Sequence, residues 1–230
     1  MSKNQTVLIT GSSKGLGKSL ALLFSQNHYN VILHGRSMED LLKLREIISK
    51  NNVECDVICG DITLEKTIIE LSETAKKRDV DILINNAGIY LKKPFPDMVF
   101  EEFRKIIEVN LLAPVHLINK IFPILITKKT SLIININSFA GKNSSDGESA
   151  YNASKHGLRG FSNSLQFDAT TYGIRIIDVY LGSMNTGMVA GRKDPEKCIS
   201  TNDAADIILG ISKNYSSMRI TEIDINRRIY

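Results

Sequence analysis

The chain has 230 residues, of which 43% are hydrophobic and 23% are charged, with a net charge of +4. This length and composition are typical of a globular protein with one large α/β domain or two small ones. Lysine and arginine are dispersed and form no block of five, which argues against a nucleic-acid-binding patch and leaves room for a basic cleft that takes a phosphorylated cofactor.

Short apolar runs alternate along the chain with segments of helical periodicity. The first half predicts, in order, strand 6–10, helix 15–28, strand 31–34, helix 38–51, strand 53–59, helix 64–78 and strand 80–85. The second half predicts helices 98–111 and 114–127, strand 131–137, helix 151–171, strand 174–180, helix 202–213 and a strand near 218–225. The strands are continuous apolar runs, as expected where helices cover both faces of a parallel sheet. We therefore expect one doubly wound, Rossmann-type α/β domain over 1–230, with about seven parallel strands.

A glycine-rich loop follows the first predicted strand, at the sheet edge where doubly wound folds bind ligands. Its sequence, T-G-S-S-K-G-L-G, contains Gly11, Gly15 and Gly17 and leads directly into a helix. Glycine permits positive φ and close approach of backbone N–H groups to a phosphate, and a helix N-terminus adds unpaired donors. The spacing differs from G-x-G-x-x-G and from a Walker loop. The strand–loop–helix context nevertheless favours phosphate binding over a bare glycine turn.

Two cations lie near this loop in the predicted fold. Arg36 follows the second strand, where a fold that binds NAD usually has an acid for the ribose 2′-hydroxyl. A guanidinium can instead pair with a 2′-phosphate, and Lys14 can join it. The alternative is two surface cations. We expect NADP(H) rather than NAD(H).

Polar residues also follow the third and fourth strands. Asp61 could accept a hydrogen bond from an adenine amino group. N-N-A-G at 85–88 could brace neighbouring strand ends, with Gly88 letting a ribose approach, although an Asn/Gly turn is an equally simple explanation. His34 ends a strand near the expected adenosine, and we assign it no role.

Tyr151 and Lys155 lie one turn apart on a predicted helix, so their side chains share a face. A free tyrosine titrates near pH 10. A positive charge about 4 Å away, at an effective dielectric of about 20, is worth roughly 4 kcal/mol, or up to about 3 pKa units. The pair therefore indicates either a phenol that titrates near neutrality as a general acid and base, or an amphipathic helix with a solvated lysine.

Five motifs in chain order resemble the classical short-chain dehydrogenase/reductase family. They are T-G-x-x-x-G-x-G at Thr10–Gly17, N-N-A-G at 85–88, Asn110 in E-V-N-L-L-A-P, Ser138, and Y-x-x-x-K at Tyr151 and Lys155. The resemblance covers nearly the whole chain, and the sequence is similar to the 3-oxoacyl-carrier-protein reductase type.

The resemblance implies an oxidoreductase that transfers a hydride between NADP(H) and a ketone or aldehyde, or the corresponding alcohol. Tyr151 would be the general acid or base, and Lys155 would also bind the nicotinamide ribose. Ser138 would donate a hydrogen bond to the substrate oxygen, and Asn110 would hold a water in a proton relay. The implied cofactor-binding residues are Thr10, Gly11, Ser13, Lys14, Gly15, Leu16, Gly17, Arg36, Asp61, Ile62, Asn86, Ala87, Gly88, Tyr151, Lys155, Gly182 and Thr186.

The resemblance also implies a homodimer or homotetramer built on the helices near 98–127 and 151–171. We expect a small-molecule carbonyl or alcohol substrate, no metal, and no nucleic-acid or membrane partner. The three cysteines, Cys55, Cys59 and Cys198, show no metal or disulfide spacing, and we expect them to be free thiols in a reducing cytoplasm. The N-terminus lacks the apolar core of a signal peptide, and no apolar run reaches the ~18 residues of a membrane span.

Three features depart from the family pattern. Leu181 precedes Gly182 where the family has proline, which should loosen that loop. The substrate lid, near 187–201, is short, and the C-terminal tail lacks the glycines common in oxoacyl reductases. An apolar substrate pocket could be lined by Tyr90, Leu91, Phe95, Phe139, Met184 and Met188.

Two other functions compete with that of a reductase. A sugar-nucleotide epimerase or dehydratase shares the Tyr/Lys chemistry, but 230 residues leave no room for its substrate domain. A catalytically silent NADP-binding sensor or scaffold needs the glycine loop but not the four catalytic candidates.

Overall fold

The computed structural model describes residues 4–184, 198–213 and 218–227. Within them, seven strands form one parallel sheet in the order β3-β2-β1-β4-β5-β6-β7. The strands are β1 Thr6–Ile9, β2 Asn30–Gly35, β3 Cys55–Cys59, β4 Ile82–Asn85, β5 Ser131–Ser138, β6 Ile174–Leu181 and β7 Glu222–Ile225. The α-helices are α1 Gly15–Gln26, α2 Met38–Ser49, α3 Glu65–Lys77, α4 Phe100–Ile107, α5 Ala113–Leu125, α6 Ser149–Thr171 and α7 Thr201–Ser212.

Helices cover both faces of the sheet, because alternate residues of each strand bury their side chains on opposite sides. On β1, Val7 and Ile9 belong to the core under α1, α2 and α7, whereas Leu8 belongs to the core under α3, α5 and α6. All three side chains are fully buried. The doubly wound, seven-stranded fold predicted from the sequence is thereby confirmed.

The strand order reverses between β1 and β4, since β1 pairs with β2 on one side and with β4 on the other. In open parallel sheets the crevice at such a reversal, beyond the carboxyl ends of the strands, is the usual ligand site. The loops that follow β1, β4 and β5 therefore meet at one place, and these loops carry the glycine motif, N-N-A-G and Ser138.

The two helices predicted near 98–111 and 114–127 form one continuous helical run. A π-helical segment, Glu108–Leu112, joins α4 to α5 without a break. Pro114, which has no N–H to donate, closely follows this segment, in the first turn of α5. By length and composition alone the run Phe100–Leu125 could cross a membrane. However, 44% of its most apolar stretch is buried in the fold, and the core helices of globular proteins often have the same length and composition.

Most elements begin or end within a few residues of the sequence predictions, and three of the differences lie at the sheet edges or near the site. The strand β3 begins at Cys55 rather than 53, β7 begins at Glu222 rather than 218, and α7 begins at Thr201. The predicted lid, 187–201, therefore includes the first residue of α7, and its residues 187–197 lie outside the described residues. Met184 forms a parallel bridge with Ile199, which joins the end of β6 to the start of α7.

A chain of buried polar side chains crosses the sheet below the site. Asn85 donates to Asn135 at 2.8 Å, Asn135 donates to Ser162 at 2.9 Å, and Ser162 donates to Asp178 at 2.9 Å. The Tyr180 hydroxyl lies 3.3 Å from the Asp178 carboxylate. All five residues are at least nine-tenths buried, so the network pairs polar groups that cannot reach solvent, although within the described residues the Asn85 amide oxygen has no partner.

The outer end of this network reaches charged residues at the β7 edge. The Tyr180 hydroxyl is 3.2 Å from Glu222, whose carboxylate pairs with Lys142 at 3.1 Å and Arg159 at 3.4 Å. The Lys142 ammonium also lies 4.0 Å from the centre of the Tyr180 ring. These contacts attach the edge strand to α6 and to the loop after β5.

Candidate active site

The glycine loop has a backbone that only glycine adopts easily. Gly11 and Gly15 have φ values of +66° and +56°. A Cβ at Gly17 would lie 2.3 Å from the Gly11 carbonyl oxygen, so a side chain there would displace the loop. The N-cap of α1, Lys14, makes no side-chain capping hydrogen bond, and the first turn contains no acid. The N-terminus of α1 therefore offers backbone donors to an anion.

Three predicted cofactor residues hold the loop in place. The Thr10 hydroxyl accepts hydrogen bonds from the backbone N–H groups of Asn86 and Ala87, both at 3.0 Å. The Asn86 amide donates to the carbonyls of Thr10 and Gly11 at 2.8 and 3.0 Å. The N-N-A-G turn after β4 thus supports the glycine loop after β1, and the Asn86 side chain serves this support.

His34, to which the sequence analysis assigns no role, belongs to the same framework. One ring nitrogen lies 3.4 Å from the Gly11 N–H, and the other lies 3.2 Å from the Gly60 carbonyl. Burial lowers the pKa of His34 to about 4, against a smaller opposing effect of its hydrogen bond to Gly60. A neutral imidazole therefore links the glycine loop to the turn after β3.

Exposed cations lie at the open side of this loop. Arg36 and Lys14 are exposed, and within the part of the chain that the structure describes neither cation has an ion-pair partner. Ser13 is half-buried, and its hydroxyl would be 3.1 Å from a Cβ at Gly35. Gly35 therefore lets the strand end approach the loop closely beside the two cations.

Three predicted cofactor residues are committed to other contacts. The Asp61 carboxylate accepts hydrogen bonds from the Thr63 N–H and hydroxyl and pairs with Lys105 at 3.2 Å. These hydrogen bonds, that from the Thr63 backbone first, lower the Asp61 pKa. Leu16 and Ile62 bury their side chains in the two cores. The side chains of Leu16 and Ile62 therefore face the cores, and the structure offers neither of them for contact with a cofactor.

Ser138, Tyr151 and Lys155 converge where β5 ends and α6 begins. The Ser138 hydroxyl is near enough to the Tyr151 phenol to lower the phenol's pKa. The Lys155 ammonium donates to the Ile136 carbonyl at 2.8 Å and lies 5.9 Å from the centre of the Tyr151 ring. One turn of α6 thus places the phenol and the ammonium on the face that packs against β5.

The pKa of Tyr151 differs in direction from the sequence expectation. Burial raises it, the nearby Ser138 hydroxyl opposes the rise, and the Glu148 charge adds to it. Burial also lowers the pKa of Lys155 to about 8, which Asp178 partly opposes. The ammonium reaches the Ile136 carbonyl instead of the phenol, so the protein alone does not give the acidified tyrosine that the spacing predicted.

Asn110 lies in the π-helical segment, and both polar atoms of its side chain form hydrogen bonds to the backbone of Ile89. Its amide oxygen accepts from the Ile89 N–H, and its amide nitrogen donates to the Ile89 carbonyl, both at 2.9 Å. The nitrogen also lies 3.2 Å from the Ser154 hydroxyl. The side chain therefore fixes the segment after N-N-A-G, while the predicted role of Asn110 in holding a water stays a prediction. Gly88 leaves room for it, because a Cβ there would be 3.3 Å from the amide oxygen.

Two residues beside Tyr151 form one wall of the site. The Tyr90 ring meets the Tyr151 ring edge-on at 5.0 Å, and its hydroxyl donates to Glu148 at 2.6 Å. Tyr90 was among the expected pocket residues, but Glu148 was not. Leu91 lines a neighbouring cleft of about 340 Å³ with Ile89 and Ile106. Phe95 is exposed and Met188 lies outside the described residues.

The end of β6 lies next to these residues. Leu181 pairs with Ser138 on one side and with Ile225 on the other, so β6 continues through this position. A proline here would have ended the strand one residue earlier, because it has no N–H to donate. A Cβ at Gly182 would be 2.8 Å from the Asn226 side chain. Thr186 lies outside the described residues. Among the residues that are described, no group of His, Cys, Asp and Glu could hold a metal ion.

Comparison with known proteins places this arrangement in a family. A family model described as short chain dehydrogenase matches residues 5–197. An uncharacterised oxidoreductase of Listeria monocytogenes is 30% identical over 84% of this chain and 80% of its own. A fatty acyl-CoA reductase of Acinetobacter baylyi is 30% identical over 90% of this chain and 72% of its own.

Solved structures agree with the sequence comparison. A metagenomic short-chain oxidoreductase in complex with NADP is 28% identical, with a TM-score of 0.86 over 98% of both chains. Serine dehydrogenase from Escherichia coli is 26% identical, with a TM-score of 0.84 over 96% of this chain and 97% of its own. From the match to the family model and these relatives, the chain belongs to the short-chain dehydrogenase family of oxidoreductases.

Proposed function

We propose that this protein is an NADP(H)-dependent oxidoreductase that interconverts a ketone or aldehyde and the corresponding alcohol, with Tyr151 as the general acid or base. The observation that carries the proposal is the convergence of Ser138, Tyr151 and Lys155 at the end of β5. A dinucleotide-binding sensor would need the glycine loop but not this cluster.

The loop after β1 fits the pyrophosphate of a dinucleotide. The backbone at Gly11 and Gly15, the close contact at Gly17 and the uncapped start of α1 together make a cradle of N–H donors. Arg36 and Lys14 would pair with a 2′-phosphate, which favours NADP(H) over NAD(H). The NADP complex of the 28% identical metagenomic oxidoreductase supports the same choice.

The nicotinamide, when bound, supplies or accepts the hydride at the carbonyl carbon. In reduction the Tyr151 phenol gives a proton to the substrate oxygen, and in oxidation the phenolate takes it back. Ser138 donates a hydrogen bond to that oxygen, where negative charge develops. The positive charge of Lys155 stabilises the phenolate, which requires that its ammonium turn from the Ile136 carbonyl towards the phenol.

The remaining expectations follow from the same family. We propose one catalytic domain over 1–230, a small-molecule substrate and a cytoplasmic homodimer or homotetramer. Two of the relatives named above act on an acyl-CoA and on serine, as their names state, so the family alone does not fix the substrate. The tail of this chain argues against simply assigning a 3-oxoacyl-carrier-protein reductase.

Fluorescence titration with NADPH and NADH tests the cofactor part of the proposal. The wild type should bind NADPH at least about tenfold more tightly than NADH, since an arginine–phosphate pair adds a charged hydrogen bond. Arg36→Ala should remove most of that preference. Arg45→Ala, which deletes an exposed arginine on α2, should keep it. The cofactor assignment is wrong if neither nucleotide binds.

Tyr151→Phe tests the catalytic part separately. The variant should still bind NADPH, because the glycine loop and Arg36 are unchanged, but lose at least about 100-fold in turnover of ketones and aldehydes, because the proton donor is absent. A steady-state carbonyl screen in which Tyr151→Phe matches the wild type would exclude Tyr151 as the acid, while leaving the nucleotide result intact.

A further inference from the structure

Glu148 places a carboxylate beside the proposed proton donor. Its oxygen accepts the Tyr90 hydroxyl proton at 2.6 Å, and the Tyr90 ring is in edge-on contact with the Tyr151 ring at 5.0 Å. The negative charge of Glu148 acts on the Tyr151 phenol. Glu148 is three residues before Tyr151, so its position relative to the phenol is set by the start of α6.

This carboxylate has no cation partner within the described parts of the chain. The cations on the adjoining loops are engaged elsewhere, because Lys93 pairs with Glu102 at 2.8 Å and Lys142 pairs with Asp224 at 2.6 Å. Lys92 has its stem against Gly147, but it is exposed and forms no ion pair with Glu148. A cation supplied by another molecule would therefore be the complement to this charge.

The carboxylate is not explained as a helix cap. Glu148 is the N-cap of α6, yet its side chain makes no capping hydrogen bond. Its position is fixed by a backbone hydrogen bond of 2.7 Å from Lys93 to Gly147, which joins the loop after β4 to the loop before α6. Gly147 has a φ of +70°, a backbone conformation that glycine adopts more easily than other residues. The two loops thus hold Tyr90 and Glu148 together as one preorganised wall.

We propose that Glu148, oriented by Tyr90, makes the enzyme selective for substrates with a protonated amine close to the reacting carbon, such as amino alcohols and amino ketones. This selectivity rests on the proposed reductase function and names its substrate class. A substrate ammonium would replace the cation partner that Glu148 lacks, while Ser138 and Tyr151 contact the reacting oxygen.

Three probes of the same shape test the selectivity: 1-amino-2-propanol, 1,2-propanediol and 2-butanol, which differ only in an ammonium, a hydroxyl or a methyl group. Their binding is compared by saturation-transfer NMR, and their oxidation with NADP⁺ by kcat/KM. The wild type should favour the amino alcohol over 2-butanol by at least about tenfold in both measurements, as expected for a directly paired charge.

Matched variants assign the selectivity to this wall. Glu148→Gln keeps the size and a hydrogen-bond acceptor for Tyr90 but removes the charge, and it should abolish the preference for the amine. Tyr90→Phe keeps the ring and removes the hydroxyl, and the preference should fall partway. Asp146→Asn removes an exposed charge from the same loop, and the preference should remain.

The outcomes separate this inference from the function on which it rests. If the wild type binds and oxidises 2-butanol as well as the amine, or if Glu148→Gln keeps the preference, the selectivity is refuted and the reductase function stands. If the amine is preferred in binding but no carbonyl or alcohol is turned over in any assay, the role of Glu148 in recognition stands and the proposed reaction fails.

Discussion

Two buried titratable side chains make the stability of this protein depend on pH in opposite directions. His34 has a pKa of about 4 in the fold, below the ordinary value of 6.5, because burial disfavours its charged form. Between pH 6.5 and 4 the His34 imidazole is therefore protonated in the unfolded chain but stays neutral in the folded protein. Linkage predicts that the free energy of unfolding loses about 2 kcal/mol between pH 7 and pH 5 through His34.

Urea unfolding at pH 7 and pH 5 measures this effect. His34→Gln should show a smaller loss between the two pH values than the wild type. Asp178→Asn is the opposing control. Burial raises the Asp178 pKa to about 6, so acidification to pH 5 stabilises the wild type through this group by about 1 kcal/mol, and the variant should lose that gain. Identical pH dependence in His34→Gln and wild type would contradict the assignment.

At the residue scale the sequence predicted the spacing of Ser138, Tyr151 and Lys155 but not their electrostatics. The helical period alone places Tyr151 and Lys155 on one face. The direction of each pKa shift depends on burial and on the Ile136 carbonyl, which belongs to another element. Glu148 was missed for a similar reason, because its partner Tyr90 is 58 residues away in sequence.

At the element scale the turn from β1 into α1 depends on one glycine contact. A Cβ at Gly17 would lie 2.3 Å from the Gly11 carbonyl oxygen and 2.6 Å from the Asn86 amide nitrogen. Gly17→Ala should therefore lower the free energy of unfolding by about 2 kcal/mol, as overpacking does, and weaken NADPH binding. Urea unfolding and fluorescence titration measure the two effects.

A glycine without such a contact provides the control. Gly160 lies within α6, and a Cβ there would meet nothing within 4 Å. Gly160→Ala should raise the free energy of unfolding by about 0.5–1 kcal/mol, because alanine loses less backbone entropy in a helix. If both alanine variants had the same effect, the close packing at Gly17 would not be the cause.

The existence and type of every predicted element agree with the structure, and the errors are at their ends. Apolar runs show where a strand is buried but not where its pairing stops, so β7 is shorter than predicted. The sequence analysis predicted two separate helices, 98–111 and 114–127. The π-helical segment joins them by adding one residue to the turn before Pro114.

For the whole molecule, an exposed apolar surface predicts self-association. Phe167 on α6 and Phe100 on α4 are 81% and 71% exposed, and Leu112 between α4 and α5 is 54% exposed. Large apolar side chains this exposed are a feature of surfaces that bind another protein. We expect sedimentation at micromolar concentration to show a dimer or larger, and Phe167→Glu to shift it towards monomer.

A charge on the opposite face of the sheet serves as the control. Met38 on α2 is also exposed, at 48%, and Met38→Glu should leave the sedimentation coefficient unchanged. A wild-type protein that sediments only as a monomer would refute the proposed oligomer. The fold itself was predictable because strand–helix alternation leaves few topologies, whereas the assembly depends on surface residues that no periodicity marks.

The buried polar chain from Asn85 through Asn135 and Ser162 to Asp178 has a consequence for how the sequence can change over time. Replacing one member leaves its neighbour with an unsatisfied buried group, which costs about 1–3 kcal/mol. Removing both partners together avoids most of that cost. Relatives should therefore differ at these positions in pairs, so that covariation, rather than strict invariance, is the evolutionary trace of the network.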